Sequence, residues 1–131
     1  MKIESPSFSI STSAENLYDF LIVPAHLEQI LPTERIHGFE ADDNKCHFKI
    51  QGGIVISLVL AQTNAQCISY TSGDISPFPF QLDIRFKEES SKVTGHIVFE
   101  GEVAPFIAMV AKSPLTALFT DMAENLRKVL E

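Results

Sequence analysis

Four histidines, His26, His37, His47 and His96, and two cysteines, Cys46 and Cys67, are the side chains best able to hold a metal. A zinc site needs ligands brought to one face at short spacing. None of these histidines has a second four residues on, and no Cys-x-x-Cys occurs. Cys46 and His47 are adjacent, and adjacent residues on a strand point to opposite faces. The sequence therefore offers no metal site and calls for no cofactor. The two thiols read as small buried side chains. Nucleophilic chemistry has no Gly-x-Ser-x-Gly to work from, and Thr71-Ser72-Gly73-Asp74 reads as the end of a strand. The pair Gly52-Gly53 lacks the lysine of a phosphate loop. Acid–base chemistry is the stronger enzymatic idea. If Phe39 faces inward, period two puts Arg35 and His37 on the same face, with Tyr70 two hairpins away. Arg, His and Tyr around an apolar pocket could polarise a carbonyl and move a proton. The plainer reading leaves Arg35 and His37 solvated at the rim of the sheet, and no residue is assigned as catalytic.

The elements that would carry these residues are legible in the pattern. Ser5 to Ser11 alternates as a strand, and Thr12-Ser13-Ala14-Glu15 is a helix start with two candidate caps. Leu17, Phe20 and Leu21 share one face of that helix. Pro24 opens a second short helix, with Leu27, Ile30 and Leu31 as its apolar stripe and Pro32 at its end. Six strand-like segments follow, at residues 35–41, 45–51, 54–63, 67–74, 79–88 and 92–103. Gly52-Gly53 predicts a tight hairpin turn. Phe80, Leu82, Ile84 and Phe86 alternate with Gln81, Asp83, Arg85 and Lys87, which predicts a half-buried strand. Short connections imply an antiparallel meander.

The last segment is helical. With Leu115 set at 0° and 100° per residue, Leu118, Phe119, Met122, Leu126, Val129 and Leu130 complete an arc of about 120°, as an amphipathic helix on a core requires. Pro114 is expected to kink or break this helix after Lys112. Two stretches carry more apolar surface than one core face needs. Val55, Val59 and Ala61 would point outward if Ile54, Ile56, Leu58 and Leu60 point inward, which predicts either cover by loops or a subunit contact in a homodimer. Val103 to Ala111 has no polar side chain on any face, which predicts either local burial or the entrance to a cavity.

At 131 residues the chain is one domain, 1–131. A net charge of −7 argues against sequence-independent nucleic-acid binding and against electrostatic docking on anionic lipid. No run approaches 18 apolar residues, so no membrane insertion is expected. The N-terminus has no apolar core after Lys2, so no secretory signal is read, and a cytoplasmic location is expected.

The order strand, two short helices, six antiparallel strands, long C-terminal helix is a two-layer α+β arrangement. Here the chain resembles the helix-grip SRPBCC superfamily of START, pollen-allergen and polyketide cyclase/dehydrase proteins, in particular its small bacterial members. The residues that carry the resemblance are Ser13 to Leu21, His26 to Pro32, Cys46-His47-Phe48, Pro77-Phe78-Pro79-Phe80, and Ala111 to Leu115. Phe39 departs from it, standing where a Trp is expected. The resemblance implies a seven-stranded curved antiparallel sheet, β-α-α-β6-α, wrapped around the C-terminal helix with a hydrophobic cavity between them. Its expected lining is Phe39, Phe48, Leu58, Tyr70, Phe80, Leu82, Phe99, Met109 and Met122, with Arg35 and His37 as polar groups. Three functions follow as expectations. The first is a binding or carrier protein for a small hydrophobic or lipid-like ligand. The others are a cyclase or dehydratase using Arg35, His37 and Tyr70, and a non-catalytic interaction module with a filled core.

Overall fold

The computed structural model describes residues 1–131. Its elements are β1 (Lys2–Glu4), β2 (Phe8–Ile10), α1 (Ala14–Leu21), a 3-10 turn (Pro24–Gln29), β3 (His37–Ala41), β4 (Lys45–Lys49), β5 (Val55–Asn64), β6 (Cys67–Ser72), β7 (Phe80–Glu89), β8 (Lys92–Gly101) and α2 (Pro105–Leu130). The strands form one curved antiparallel sheet in the order β1-β8-β7-β6-β5-β4-β3. The α+β helix-grip arrangement expected from the sequence is the one observed.

The first strand differs from the expectation. It is two strands, and the sheet has eight. Pro6 has no N–H to give a ladder, so pairing stops there. Ser5 bridges the gap: its backbone N–H donates to the Ile97 carbonyl, and its hydroxyl accepts the Ile97 N–H, both at 2.9 Å. β1 then pairs with Val98–Glu100 and β2 with Val93–Gly95 of the same strand, β8. At the Phe8–Gly95–Phe86 crossing a Cβ on Gly95 would strike the Arg85 carbonyl oxygen and the Phe8 ring, so glycine is required by close approach.

Local chemistry sets the other boundaries. The Ser13 hydroxyl accepts the Asn16 N–H at 3.1 Å and caps α1, while the Glu88 carboxylate takes the free Ala14 N–H at 2.6 Å. Gly52 and Gly53 turn the β4–β5 connection at φ +88° and +76°, a region that suits glycine. Register shifts in β3–β4 and at Ala61 in β5–β6 mark bulges, which bend strands and increase their twist.

α2 runs unbroken through Pro114, contrary to the break expected there. Proline removes the N–H that would bond the Val110 carbonyl, but that residue stands in solvent, where water can serve it. The helix packs against β1, β2 and β8. Ala111, Leu115, Leu118, Phe119, Met122, Ala123 and Leu126 are buried, whereas Val129 is exposed and Leu130 half-buried, so the apolar arc leaves the sheet in its last turn. Arg35 pairs with Asp121 at 2.9 Å, and the Asn125 amide donates to the Ile30 carbonyl at 3.0 Å, tying α2 to the segment after α1.

Candidate functional site

The space between sheet and α2 is occupied by side chains. Phe99 of β8 meets Phe119 of α2 at 5.3 Å between ring centroids, and Phe80 meets Phe99 at 5.0 Å. Phe48, Leu58, Tyr70, Leu82 and Met122 join them in one continuous buried cluster. Seven of the nine side chains named from the sequence are thus brought together as packed core. Phe39 is half-buried against its edge, stacked on Phe48 at 6.2 Å. Met109 is 82% exposed and belongs to no inward set. The reason is rotational phase. If the helix continues through Pro114, Met109 lies about 120° around from Leu115, off the buried arc.

The three polar candidates do not share an enclosure. Arg35 is held by Asp121 at the surface, and His37 is exposed at the start of β3. Tyr70 is fully buried, and its hydroxyl donates to the Leu21 carbonyl at 2.7 Å. Burial, with the neighbouring Cys46 second, pushes the Tyr70 phenol up from its ordinary value, so it stays protonated. No buried side-chain polar atom in the core lacks a partner. The histidines are likewise separate: His26 Nδ1 lies 2.9 Å from the Phe20 carbonyl, His47 faces Glu40 at 3.1 Å, and His96 lies 3.7 Å from Glu4.

An apolar recess of about 390 Å³ opens at one end of the molecule, where the core meets solvent. Its lining is Gly53, Ile54, Val55, Ile75, Pro77, Phe106, Ile107 and Val110, with no charged side chain among them. Three segments build it. The glycine turn brings Ile54 and Val55 to one side. The loop after β6 forms the second side and is pinned by Ser76, whose hydroxyl accepts the Ser57 N–H at 3.0 Å and donates to the Ser57 carbonyl at 3.2 Å. Gly73 lets this loop lie flat on β5, because a Cβ there would collide with the Ser57 hydroxyl. Phe78 of the same loop turns into the aromatic cluster beside Phe80, leaving Ile75 and Pro77 at the mouth. The first turns of α2 form the third side. Pro105 starts this helix without a side-chain cap, and Phe106, Ile107 and Val110 face the recess.

The sequence carried a signal for this site in the all-apolar run Val103 to Ala111, read as either local burial or an entrance. It contributes Phe106, Ile107 and Val110 to the recess. Ile75 and Pro77 gave no periodic signal, because they lie in a loop.

A second recess, of about 600 Å³, lies on the sheet face away from the core and is lined by polar groups including Gln81, Asp83 and Arg85. Desolvation would raise the Asp83 carboxyl, but hydrogen bonds from Gln81 (2.9 Å), Ser69 (2.7 Å) and Arg85 (3.2 Å) outweigh it and hold it below its ordinary value. These groups satisfy one another, and the cluster behaves as a cross-strand brace.

No protein-family model and no curated protein matches the chain. Solved structures match its fold over nearly the full length. The KanY protein superposes with a TM-score of 0.78 at 11% identity, covering 99% of this chain and 97% of that one. The XoxI protein of Bacillus cereus gives 0.69 at 18% identity, covering 98% and 94%. The Aha1 dimer of Colwellia psychrerythraea gives 0.69 at 14% identity, covering 100% and 96%. At these identities the likeness concerns the fold.

Proposed function

We propose that this chain is a helix-grip protein of the SRPBCC kind that binds a small hydrophobic or lipid-like ligand, seated in the recess between the glycine turn, the loop after β6 and the first turns of α2. The observation that carries the reading is the uncharged apolar lining of that recess. Its volume, about 390 Å³, falls within the range of roughly 300–1,000 Å³ usual for small-molecule sites. A ligand there would gain by removing apolar surface from water at about 25 cal/mol per Å². With no buried polar group free to orient it, selectivity would rest on shape.

Uptake of a fluorescent fatty-acid analogue by the purified chain tests this. The parent should bind at micromolar concentration, and Val110→Asp should weaken binding at least tenfold with little change in melting, since that side chain is exposed. A parent that takes up no analogue, and that carries no co-purified mass in native mass spectrometry, would overturn the proposal.

A further inference from the structure

Six large apolar side chains stand exposed in this molecule; three of them, Ile75, Phe106 and Val110, line the recess, and a fourth, Met109, stands beside it, three residues along α2 from Phe106. Their exposures are 56%, 76%, 52% and 82%. We propose that this end is a docking surface for an electrically neutral lipid bilayer, with Phe106 and Met109 entering the headgroup layer and α2 tipped toward the membrane by its first two turns.

Charge and area both argue for that occupant. The nearest charged residues along the chain are Asp74 and Glu102 on one side and Lys112 on the other, and Lys49 pairs across the ladder with the recess residue Val55. Those flanking groups are two acidic and two basic, and no charged side chain lines the recess itself, in a molecule of net charge −7. A zwitterionic surface matches it, and an anionic one is opposed by the rest of the protein. A second copy fits less well. The four side chains expose about 500 Å² if each is taken at about 200 Å², so a second copy would also have to cover about 300 Å² of their surroundings to reach the roughly 800 Å² per partner of a stable interface. Two copies would also bring −7 against −7. A bilayer needs no matching shape, only apolar side chains at interfacial depth, which this rim supplies. This is contact by side chains, not a span. α2 has the length and hydropathy of a membrane-crossing helix, but Leu115, Phe119, Met122 and Leu126 are held in the core. The docking stands apart from the ligand reading: the rim can meet a membrane whether or not the recess takes up a molecule.

The chain has no tryptophan, so one introduced residue reports without background. Met109→Trp should shift its emission to the blue when phosphatidylcholine vesicles are added, while Val129→Trp, at the far end of α2, should not. Adding Phe106→Glu to Met109→Trp should lower vesicle partitioning at least tenfold in flotation. It should leave melting unchanged, since Phe106 stands in solvent. Phosphatidylglycerol vesicles should bind no better than phosphatidylcholine. Any of four results would overturn the proposal: no shift and no flotation, equal shifts at both positions, preference for the anionic vesicle, or a lipid-free, concentration-dependent shift accompanied by a dimeric mass. Fatty-acid uptake is measured without vesicles, so a chain that binds the analogue and ignores vesicles loses the docking alone.

Discussion

Asp83 illustrates how one side chain reinforces this sheet. It stands on the face away from the core, with 12% of its side chain exposed, and its carboxylate is bonded by residues of β6 and β7. Because its pKa is lowered by folding, the native state favours the charged form. That stability is fully present above the unfolded value of about 3.9 and is lost as pH falls through the lower folded value. Asp83→Asn should therefore melt lower than the parent at pH 7, and the difference should shrink as pH falls from about 5 toward 2. Thermal melts at several pH values check this; a constant gap would mean that Asp83 acts by shape alone. Tyr70 teaches a related point. From the sequence it could have been a catalytic phenol. Its bond to the Leu21 carbonyl, invisible in one dimension, makes it a brace between β6 and the end of α1.

Among the elements, α2 was legible from its repeat up to the point where its continuity mattered. The 120° arc picked out Leu115, Leu118, Phe119, Met122 and Leu126, all of which are buried, together with the small Ala123 that it did not name. Breaking the helix at Pro114 discarded the rotational phase that would have turned Met109 outward. Proline costs a hydrogen bond, yet here the residue left without that partner, Val110, is exposed, and the following turns are packed on the sheet. Leu126→Asp would place a charge at a position of zero exposure and should remove several kcal/mol, out of a typical total of about 5–15. Chemical denaturation measures it, and a parent-like midpoint would mean that α2 is not docked on β1, β2 and β8. The hairpins were legible from their glycines and alternation. The split of the first strand was not, because Pro6 interrupts pairing only if a neighbouring strand is present to pair with, and that strand lies some ninety residues away.

For the molecule as a whole, strand order is the quantity that the sequence implied and the sheet realises. Cys46 on β4 and Cys67 on β6 are separated by β5. The register sets Cys46 opposite Leu58 and Leu58 opposite Ser72, five residues along β6 from Cys67. Two strand spacings across and five residues along put the thiols about 20 Å apart, against about 7 Å between Cα atoms for a disulfide. Burial, then the nearby Asp42, pushes the Cys46 thiol up to about 12. Ellman titration should count two free thiols after unfolding and only Cys67 reacting promptly in the native protein at pH 8. A count of zero in a monomer would refute this strand order. Whether sheet and helix enclose a void was not legible, because a filled core and a hollow one share the same alternation. The contact between the Phe99 and Phe119 rings sets the helix directly against the sheet at that point.

The double use of β8 has a kinetic consequence. β1 and β2 both add to a strand that comes about ninety residues later, and α2, later still, packs against all three. The first ten residues thus have no ladder to join until β8 has been made, and the core they share with α2 closes only when Leu126 arrives. Such long-range pairings must bear the loop-closure entropy before any contact offsets it, so the closing of the two ends should lag behind the central hairpins. On the ribosome the central hairpins can assemble early, with their apolar face uncovered, and the two ends of the chain seal it together at the last step.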